Sequence, residues 1–251
     1  MINPVCSIFF HNYYGSHASW MDYFAKTISF PSNLYYNMVE DSMYNLADAE
    51  KIFTGGFKPG QQNQINKVIV RQSSNKGKDI GGKMVLLDAC SQLNLPTRYG
   101  LFLHDKKSPY KANNTTWTTN LLAIAEDGFS RKALRLFEDH PNTGIVTATG
   151  NTSNEYDHGM QSFKSNNNVL LTELQKRFAI STDSFQYVTG TMFWFRMEPI
   201  SQFFKKYPPL QIREMLEQGN IMDEYAGTYT HSWERLLCWI ITGQQYSIKT
   251  I

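Results

Sequence analysis

The chain has 251 residues, of which 41% are hydrophobic and 18% charged, a composition typical of a globular domain rather than a disordered chain. Its formal net charge of only +2 argues against a nucleic-acid-binding protein, which usually carries a strongly basic surface. The sequence has no apolar run of about 18 residues, so no transmembrane helix is predicted. The first four residues lack the basic start of a signal peptide.

The first part of the chain alternates between predicted strands and predicted helices. Short apolar runs predict strands, and apolar residues three or four apart predict helices. In chain order these are a strand Val5–Phe10, a helix Ser19–Ile28, a strand Leu34–Val39, a helix Met43–Phe53, a strand Lys67–Val70, a helix Ile80–Leu93 and a strand Tyr99–Leu103. Thr54–Gln64, rich in Gly and amide side chains, predicts a loop. The alternation indicates an α/β fold with a mainly parallel sheet flanked by helices.

The rest of the chain shows the same two patterns less regularly. The predicted helices are Trp117–Ala125, Arg131–Phe137, Val169–Phe178, Glu198–Tyr207 and Ser232–Ile241, and the predicted strands are Gly144–Ala148, Tyr187–Phe195 and Tyr246–Ile251. Thr149–Asn168 is rich in Gly, Asn and Ser and predicts a mobile surface loop. Because no repeat or linker interrupts the chain, we expect one domain over residues 1–251, with halves 1–107 and 108–251 joined near Lys107–Trp117.

The three cysteines, Cys6, Cys90 and Cys238, lie far apart in apolar surroundings. An odd number without a CxxC pair indicates reduced core thiols, so we expect a cytoplasmic protein. The sequence also lacks GxSxG and HExxH, the patterns of serine hydrolases and zinc proteases.

The first candidate site segment, Asn75–Lys83, joins a predicted strand to a predicted helix, where parallel sheets bind ligands. Its glycines permit close approach of a ligand to the backbone, its lysines can balance phosphate charge, and its carboxylate can accept hydrogen bonds from ribose or sugar hydroxyls. These residues are Asn75, Gly77, Gly81, Gly82, Lys76, Lys78, Lys83 and Asp79. The segment matches neither GxxxxGK[ST] nor GxGxxG, and a helix-start loop with solvated lysines is the alternative interpretation.

The second candidate segment follows the strand Tyr99–Leu103. In an extended backbone His104 and Lys106 project to one face, where Lys106 can stabilise a departing diphosphate. Asp105 points the other way and is a weak candidate metal ligand. An ordinary charged turn is the alternative.

The third candidate segment begins the last predicted helix. Glu234, or else His231, can serve as the general base that deprotonates an acceptor hydroxyl. A helix-capping carboxylate paired with Arg235 is the alternative role for Glu234.

Two further segments complete the candidate site. Thr191, Trp194 and Arg196 lie in an aromatic strand that can form an acceptor-binding wall, although a buried strand is the alternative. His11 and Tyr13 follow the first strand, where a nucleotide base can stack on a tyrosine.

The order of these motifs resembles the rhamnan synthesis protein F family of bacterial polysaccharide glycosyltransferases. The stretches that carry the resemblance are SIFFHNYYGSHASW, SNKGKDIGGKMVLL, LFLHDKKSP, VTGTMFWFRMEPI and THSWERLLCWIITG, which together span most of the chain. The family is similar to the GT-A fold glycosyltransferases, in which the corresponding strand ends in an Asp-x-Asp metal motif. Here His104-Asp105-Lys106 replaces that motif.

The resemblance implies transfer of a sugar, rhamnose or another hexose, from a nucleotide-sugar to a glycan or polysaccharide acceptor, with inversion. It implies a GT-A-like, Rossmann-type sheet, with the donor bound by His11, Tyr13, Asn75, Gly77, Lys78, Asp79, His104 and Lys106. We expect no required cofactor, with Mn²⁺ or Mg²⁺ as the alternative, and no nucleic-acid partner. Peripheral contact with the cytoplasmic membrane face and a place within a multidomain transferase are further expectations. A non-catalytic carbohydrate-binding or scaffold domain is the alternative function.

Overall fold

The computed structural model describes residues 5–40, 45–56, 64–105 and 122–251. Its strands are β1 Cys6–Asn12, β2 Ser32–Val39, β3 Ile65–Ser73, β4 Tyr99–His104, β5 Thr143–Thr147, β6 Thr152–Asn154, β7 Tyr156–Asp157, β8 Ser162–Phe163, β9 Gln186–Val188, β10 Phe193–Arg196 and β11 Ser247–Thr250. Its α-helices are α1 His17–Thr27, α2 Leu46–Gly56, α3 Lys78–Leu93, α4 Asp127–Asp139, α5 Asn168–Phe178, α6 Met197–Lys206, α7 Pro209–Glu214 and α8 Tyr229–Thr242, with a 3₁₀ turn at Ala123–Ala125.

Seven strands form one sheet in the order β11-β5-β10-β4-β1-β2-β3. All neighbouring pairs are parallel except those of β10, which runs antiparallel to both β4 and β5. The predicted α/β fold with a mainly parallel sheet is therefore confirmed. Because β10 is reversed, its first residues lie at the edge of the sheet where the parallel strands end. This edge is called the carboxyl edge below.

Helices cover both faces of the sheet because successive side chains of each buried strand point to opposite faces. On one face Phe9, Tyr35 and Phe102 pack with residues of α3, α5, α6 and α8. On the other face Ile8, Phe10 and Leu101 pack with residues of α1, α2 and α4. The three cysteines are free and buried, as predicted. Among the described helices, none combines the length and the apolar character needed to span a membrane.

The predicted strand pattern over Tyr187–Phe195, which Gly190 interrupts, forms two strands in the structure. The structure divides it into β9, which pairs with β6 in a small separate sheet, and β10, which joins the main sheet. Gly190 and Thr191, with φ of 76° and 50°, form the turn between them. A glycine adopts this left-handed conformation readily, whereas a threonine does so only when its surroundings hold it there.

Other departures lie in the segments with the weakest patterns. Thr149–Asn168, predicted to be a loop, contains the short strands β6, β7 and β8. Pro208 and Pro209 follow the end of α6, and Pro209 begins α7 because proline is tolerated in a first helical turn. Of the predicted helix Trp117–Ala125, only the end lies within the described residues, where it forms the 3₁₀ turn.

Two glycines bring the start of α3 close against the end of the sheet. A Cβ built at Gly82 would lie 2.0 Å from Nδ1 of His11, and one at Gly81 would lie 1.7 Å from the carbonyl oxygen of Lys76. Both distances are far shorter than a van der Waals contact. The absence of side chains at Gly81 and Gly82 therefore allows α3 to begin directly beside the carboxyl edge.

Candidate functional site

A row of polar side chains crosses the carboxyl edge beneath α3. In the strand registers His11 of β1 faces Asn37 of β2 on one side and His104 of β4 on the other. His11 Nδ1 lies 3.0 Å from Asn37 Nδ2, and Asn37 Nδ2 donates to Ser73 Oγ at 3.0 Å. His11 is only 2% exposed. Predicted to bind the nucleotide-sugar, His11 instead lies buried below the surface of the site.

Burial controls the charge of His11. Desolvation lowers its pKa from 6.5 to about 4; Asp79 opposes this effect, while Lys83 and Arg213 add to it. His11 is therefore neutral at physiological pH. Its Nε2 has no hydrogen-bond partner among the described residues.

The loop after β1 is held by the carboxylate that follows β4. Asp105 Oδ1 accepts a hydrogen bond from the backbone N–H of Tyr13 at 2.8 Å, and Oδ2 accepts one from Tyr14 at 2.7 Å. This arrangement fixes the loop that carries Tyr13, whose hydroxyl lies 3.5 Å from Asn220 Nδ2. Tyr13 is partly exposed.

Asp105 follows β4, where the GT-A resemblance would place a metal motif, and it contacts the loop after β1. Both carboxylate oxygens of Asp105 are occupied by backbone N–H groups. Within residues 5–40, 45–56, 64–105 and 122–251, no three His, Cys, Asp or Glu side chains are grouped so that they could hold a metal ion. The described contacts of Asp105 hold the loop that carries Tyr13 and Tyr14.

The segment after β3 enters α3 through two left-handed residues, Gly77 with φ of 75° and Lys78 with φ of 51°. The backbone N–H of Gly77 donates to the carbonyl oxygen of Glu217 at 2.7 Å, and the carbonyl oxygen of Asn75 accepts from Gly219 at 2.9 Å. These bonds join the segment to the chain just before α8. These two hydrogen bonds anchor the backbone of the loop, while Lys76 and Lys78 remain partly exposed.

Lys78 carries its ammonium group toward the other side of the site. Its Nζ lies 3.5 Å from Nε2 of His231 and 3.3 Å from the sulfur of Met222. Lys78 and His231, which are far apart in sequence and were both predicted to belong to the site, therefore lie close together.

Asp79 belongs to a buried polar cluster with Lys83, Thr191 and His104. Lys83 Nζ donates to Asp79 Oδ2 and to Thr191 Oγ1, both at 2.6 Å, and lies 3.4 Å from His104 Nδ1. Thr191 Oγ1 donates to Asp79 Oδ2 at 2.7 Å. The Lys83 side chain is fully buried. Lys83 therefore cannot reach a bound phosphate, contrary to the prediction, and Thr191 is a member of this cluster and not of an acceptor wall.

Charge within this cluster favours an ionised Asp79. Burial alone would raise the pKa of Asp79, but Lys83, His104 and the hydrogen bond from Thr191 together hold it well below its usual range. Burial lowers the pKa of Lys83, and the Asp79 carboxylate opposes that effect.

The start of α8 is capped by groups other than Glu234. Thr228 Oγ1 accepts from the backbone N–H of His231, and Glu217 accepts from the backbone N–H groups of Tyr229 and Thr230. These contacts satisfy the donors that a helix start leaves unpaired. The alternative in which Glu234 caps the helix is therefore wrong.

His231 is anchored on its Nδ1 side. Nδ1 lies 2.6 Å from Thr228 Oγ1 and 3.8 Å from Asp223 Oδ1, while Nε2 faces Lys78. Burial and Lys78 lower the pKa of His231, and Asp223 opposes them. A neutral imidazole with its Nδ1 side fixed is a suitable proton acceptor.

Glu234 lies about one helical turn after His231 in α8 and contacts its neighbour Arg235. Its Oε2 lies 3.2 Å from an Arg235 nitrogen, and its charge acts on Lys83 to raise the pKa of that ammonium. Arg235 is also held by Glu155, at 3.0 Å, and by the carbonyl oxygen of His231. The predicted pairing of Glu234 with Arg235 is present, and the carboxylate remains 21% exposed.

Two predicted acceptor-binding residues lie elsewhere. Trp194 is completely buried, and its Nε1 donates to the carbonyl oxygen of Ile124. Arg196 lies at the edge opposite the carboxyl edge, because β10 is antiparallel, and donates to the carbonyl oxygen of Thr143 at 2.7 Å. Arg196 lines a cleft of about 770 Å³ between the end of α3 and α6. Neither side chain lies at the candidate site, so both acceptor-binding predictions are corrected.

Comparison with known families supports the resemblance carried by the motifs. The family model described as rhamnan synthesis protein F matches residues 5–246. The chain belongs to the rhamnan synthesis protein F family. A search of curated proteins finds no match. The family assignment makes this a protein of polysaccharide synthesis.

In this family member, the described site also includes residues that the sequence patterns did not single out. Glu217, Asp223 and Thr228 contact the start of α8. Asn37 belongs to the row of polar side chains beneath α3, where it contacts His11. Thr228 precedes an apolar helix and matches a helix-cap signal. Glu217 and Asp223 contact residues 8 to 13 positions later in the chain, and no local sequence pattern predicts such contacts. The predicted ligand Lys106 lies outside the described residues.

The low pKa of His11 predicts a loss of stability in mild acid. Its folded-state pKa of about 4 is below its usual value of 6.5, so protons bind more tightly to the unfolded chain. His11 should therefore lower the free energy of unfolding as pH falls through this window, by roughly 2–3 kcal/mol between pH 7 and pH 4.5.

Urea unfolding across this pH range measures the effect. His11→Asn should flatten the pH dependence, whereas His140→Asn, at an exposed histidine, should leave it unchanged. An equally steep pH dependence in His11→Asn would contradict the assignment.

Proposed function

We propose that this chain is a glycosyltransferase domain that moves a sugar, rhamnose or another hexose, from a nucleotide-sugar to a glycan or polysaccharide acceptor. The observation that carries the proposal is the meeting of Lys78 and His231 at the carboxyl edge, with Asp79 next to Lys78 in α3 and Glu234 about one helical turn after His231 in α8. A cation for a diphosphate, a carboxylate for hydroxyl groups and a base are the groups that displacement at a sugar carbon requires. Family membership in polysaccharide synthesis supports the same function.

The proposed reaction is a single displacement with inversion. Glu234, with His231 as the alternative, removes the proton from the acceptor hydroxyl, and the resulting oxygen nucleophile forms a bond to the sugar carbon. The bond from that carbon to the diphosphate oxygen breaks, and the nucleoside diphosphate leaves with the bonding electrons. Lys78, with Lys106 from the sequence argument, stabilises the negative charge on the leaving group.

The donor side of the proposal depends on Lys78. Lys78→Ala should weaken the binding of a nucleoside diphosphate by about 10- to 100-fold, because a hydrogen bond from a charged group is lost. Lys67→Ala, at an exposed lysine of β3, is the matched control and should bind normally. Calorimetry in excess chelator measures both affinities.

Three outcomes of this experiment would count against parts of the proposal. Equal affinity of Lys78→Ala and the unaltered chain would remove Lys78 from the donor site. Binding that appears only after manganese is added would overturn the metal-free arrangement. Binding of oligosaccharides with no nucleoside diphosphate would favour a non-catalytic carbohydrate-binding domain.

The base assignment predicts a loss of turnover without a loss of donor binding. Glu234→Gln removes the proton acceptor but keeps the shape, so sugar transfer should fall by roughly 10²- to 10⁴-fold while nucleotide affinity is unchanged. Glu173→Gln, at an exposed carboxylate of α5, is the control.

Transfer assays and calorimetry on the same preparations test this assignment. Normal turnover in Glu234→Gln together with lost turnover in His231→Gln would move the base to His231.

For the acceptor side we propose the segment between α7 and α8. Asn166 Nδ2 donates to the carbonyl oxygens of Asp223 and Glu224, which holds the segment beside His231. The segment exposes apolar side chains, and Tyr225 is 96% exposed. A flat aromatic ring can pack against the C–H face of a sugar. Tyr225 therefore replaces Trp194 as the proposed aromatic contact for the acceptor.

Truncation of this ring tests the acceptor side. Tyr225→Ala should raise the KM for the acceptor by up to about tenfold and leave acceptor-independent hydrolysis of the donor unchanged. Leu93→Ala, at an exposed apolar residue at the far end of α3, is the control. An unchanged acceptor KM in Tyr225→Ala would exclude the ring from acceptor binding.

A further inference from the structure

Lys83 is a fully buried ammonium group whose hydrogen bonds join the first turn of α3 to the turn before β10. An ammonium has three N–H donors and no acceptor. The described neighbours of Lys83 are Asp79 Oδ2 and Thr191 Oγ1, each at 2.6 Å, and His104 Nδ1 at 3.4 Å. Burying a charge is costly unless it is paired and hydrogen-bonded. The buried ammonium therefore constrains the positions of Asp79 and Thr191.

Thr191 reaches this group only through an unfavourable backbone conformation. Its φ of 50° lies in the left-handed region, which a β-branched residue seldom adopts, and it follows Gly190 with φ of 76°. The turn places Thr191 Oγ1 between Lys83 Nζ and Asp79 Oδ2, at 2.6 Å and 2.7 Å. The left-handed conformation of Thr191 therefore completes the hydrogen bonds of the buried Lys83 ammonium group.

The described side-chain contacts of the Asp79 carboxylate all involve one of its two oxygens, Oδ2. Lys83, Thr191 and His104 all approach Oδ2, at 2.6, 2.7 and 3.5 Å. Within the part of the chain that the structure describes, no hydrogen bond is made to Oδ1, and the Asp79 side chain remains 17% exposed. One oxygen is thus fixed by the protein, and the other can accept a hydrogen bond from a ligand.

We propose that Lys83 and Thr191 are positioning residues that hold the Asp79 carboxylate so that its Oδ1 accepts a hydroxyl group of the bound nucleotide-sugar. This inference rests on the proposed function, since the donor is its ligand. It extends that function by assigning donor recognition to a buried lysine and a left-handed threonine, neither of which touches the donor.

Two variants separate positioning from general support of the fold. Lys83→Met keeps an unbranched side chain of similar length without the charge, and Thr191→Val keeps the shape without the hydroxyl. Lys83→Arg restores the charge, and Thr143→Val is the matched control, because Thr143 is buried and its Oγ1 has no partner among the described residues.

The first readout is the ionisation of Asp79 in the ligand-free protein, followed by carbon NMR of its carboxyl group. In Lys83→Met the burial of Asp79 is no longer compensated, so its pKa should rise; Thr191→Val should raise it less, and Thr143→Val should not change it. The second readout is donor KM against pH. Both site variants should raise KM by about tenfold or more, and their acid limb should move to higher pH, with partial rescue in Lys83→Arg.

Unchanged Asp79 titration and unchanged donor KM in a folded Thr191→Val or Lys83→Met protein would overturn the inference. If Lys83→Met does not fold, Thr191→Val decides by the same two readouts. A shifted Asp79 titration in a chain that neither binds nucleoside diphosphates nor hydrolyses any nucleotide-sugar would overturn the proposed function, while the hold of Lys83 and Thr191 on Asp79 would stand.

Discussion

The burial of one positive charge, on Lys83, sets the arrangement of the carboxyl edge. An ammonium group removed from water requires an ionised partner and further hydrogen-bond acceptors in fixed positions. Asp79 supplies the partner from the first turn of α3, and Thr191 supplies a hydroxyl from the turn before β10. Asp79 and Thr191 are separated by 112 residues, so the buried charge ties the start of α3 to the turn before β10.

The reversal of β10 makes this connection geometrically available. A parallel strand in the same position would begin at the opposite edge, and the residues before it would lie far from α3. Because β10 is antiparallel, Thr191 arrives beside His104 and Lys83, while Arg196 is carried to the edge near Tyr99. A single strand direction therefore explains why one predicted acceptor residue joins the buried cluster and another lies across the molecule.

This reversal also separates what the sequence could predict from what it could not. Local patterns of apolar residues and glycines predict the strands β1, β2 and β4 and the start of α3. The mainly parallel sheet and the position of Lys78 and Asp79 at the start of α3 therefore followed from the sequence. The direction of β10 depends on pairing with β4 and β5, which no local pattern encodes. For the same reason the buried position of Lys83 and the hydrogen bonds from Tyr13 and Tyr14 to Asp105 were not predicted.

The polar groups at the carboxyl edge form two levels, a buried lower level and a partly exposed upper level, which differ in their charge. In the lower level, His11 is neutral and Lys83 is paired with Asp79, so the buried charges nearly balance. In the upper level, Lys78 remains partly exposed beside His231, and its positive charge favours the neutral form of that imidazole. Under the proposed function, the cation that attracts the diphosphate also helps to keep His231, the alternative base, able to accept a proton. In that proposal, a site with these two levels holds an anionic leaving group without protonating His231.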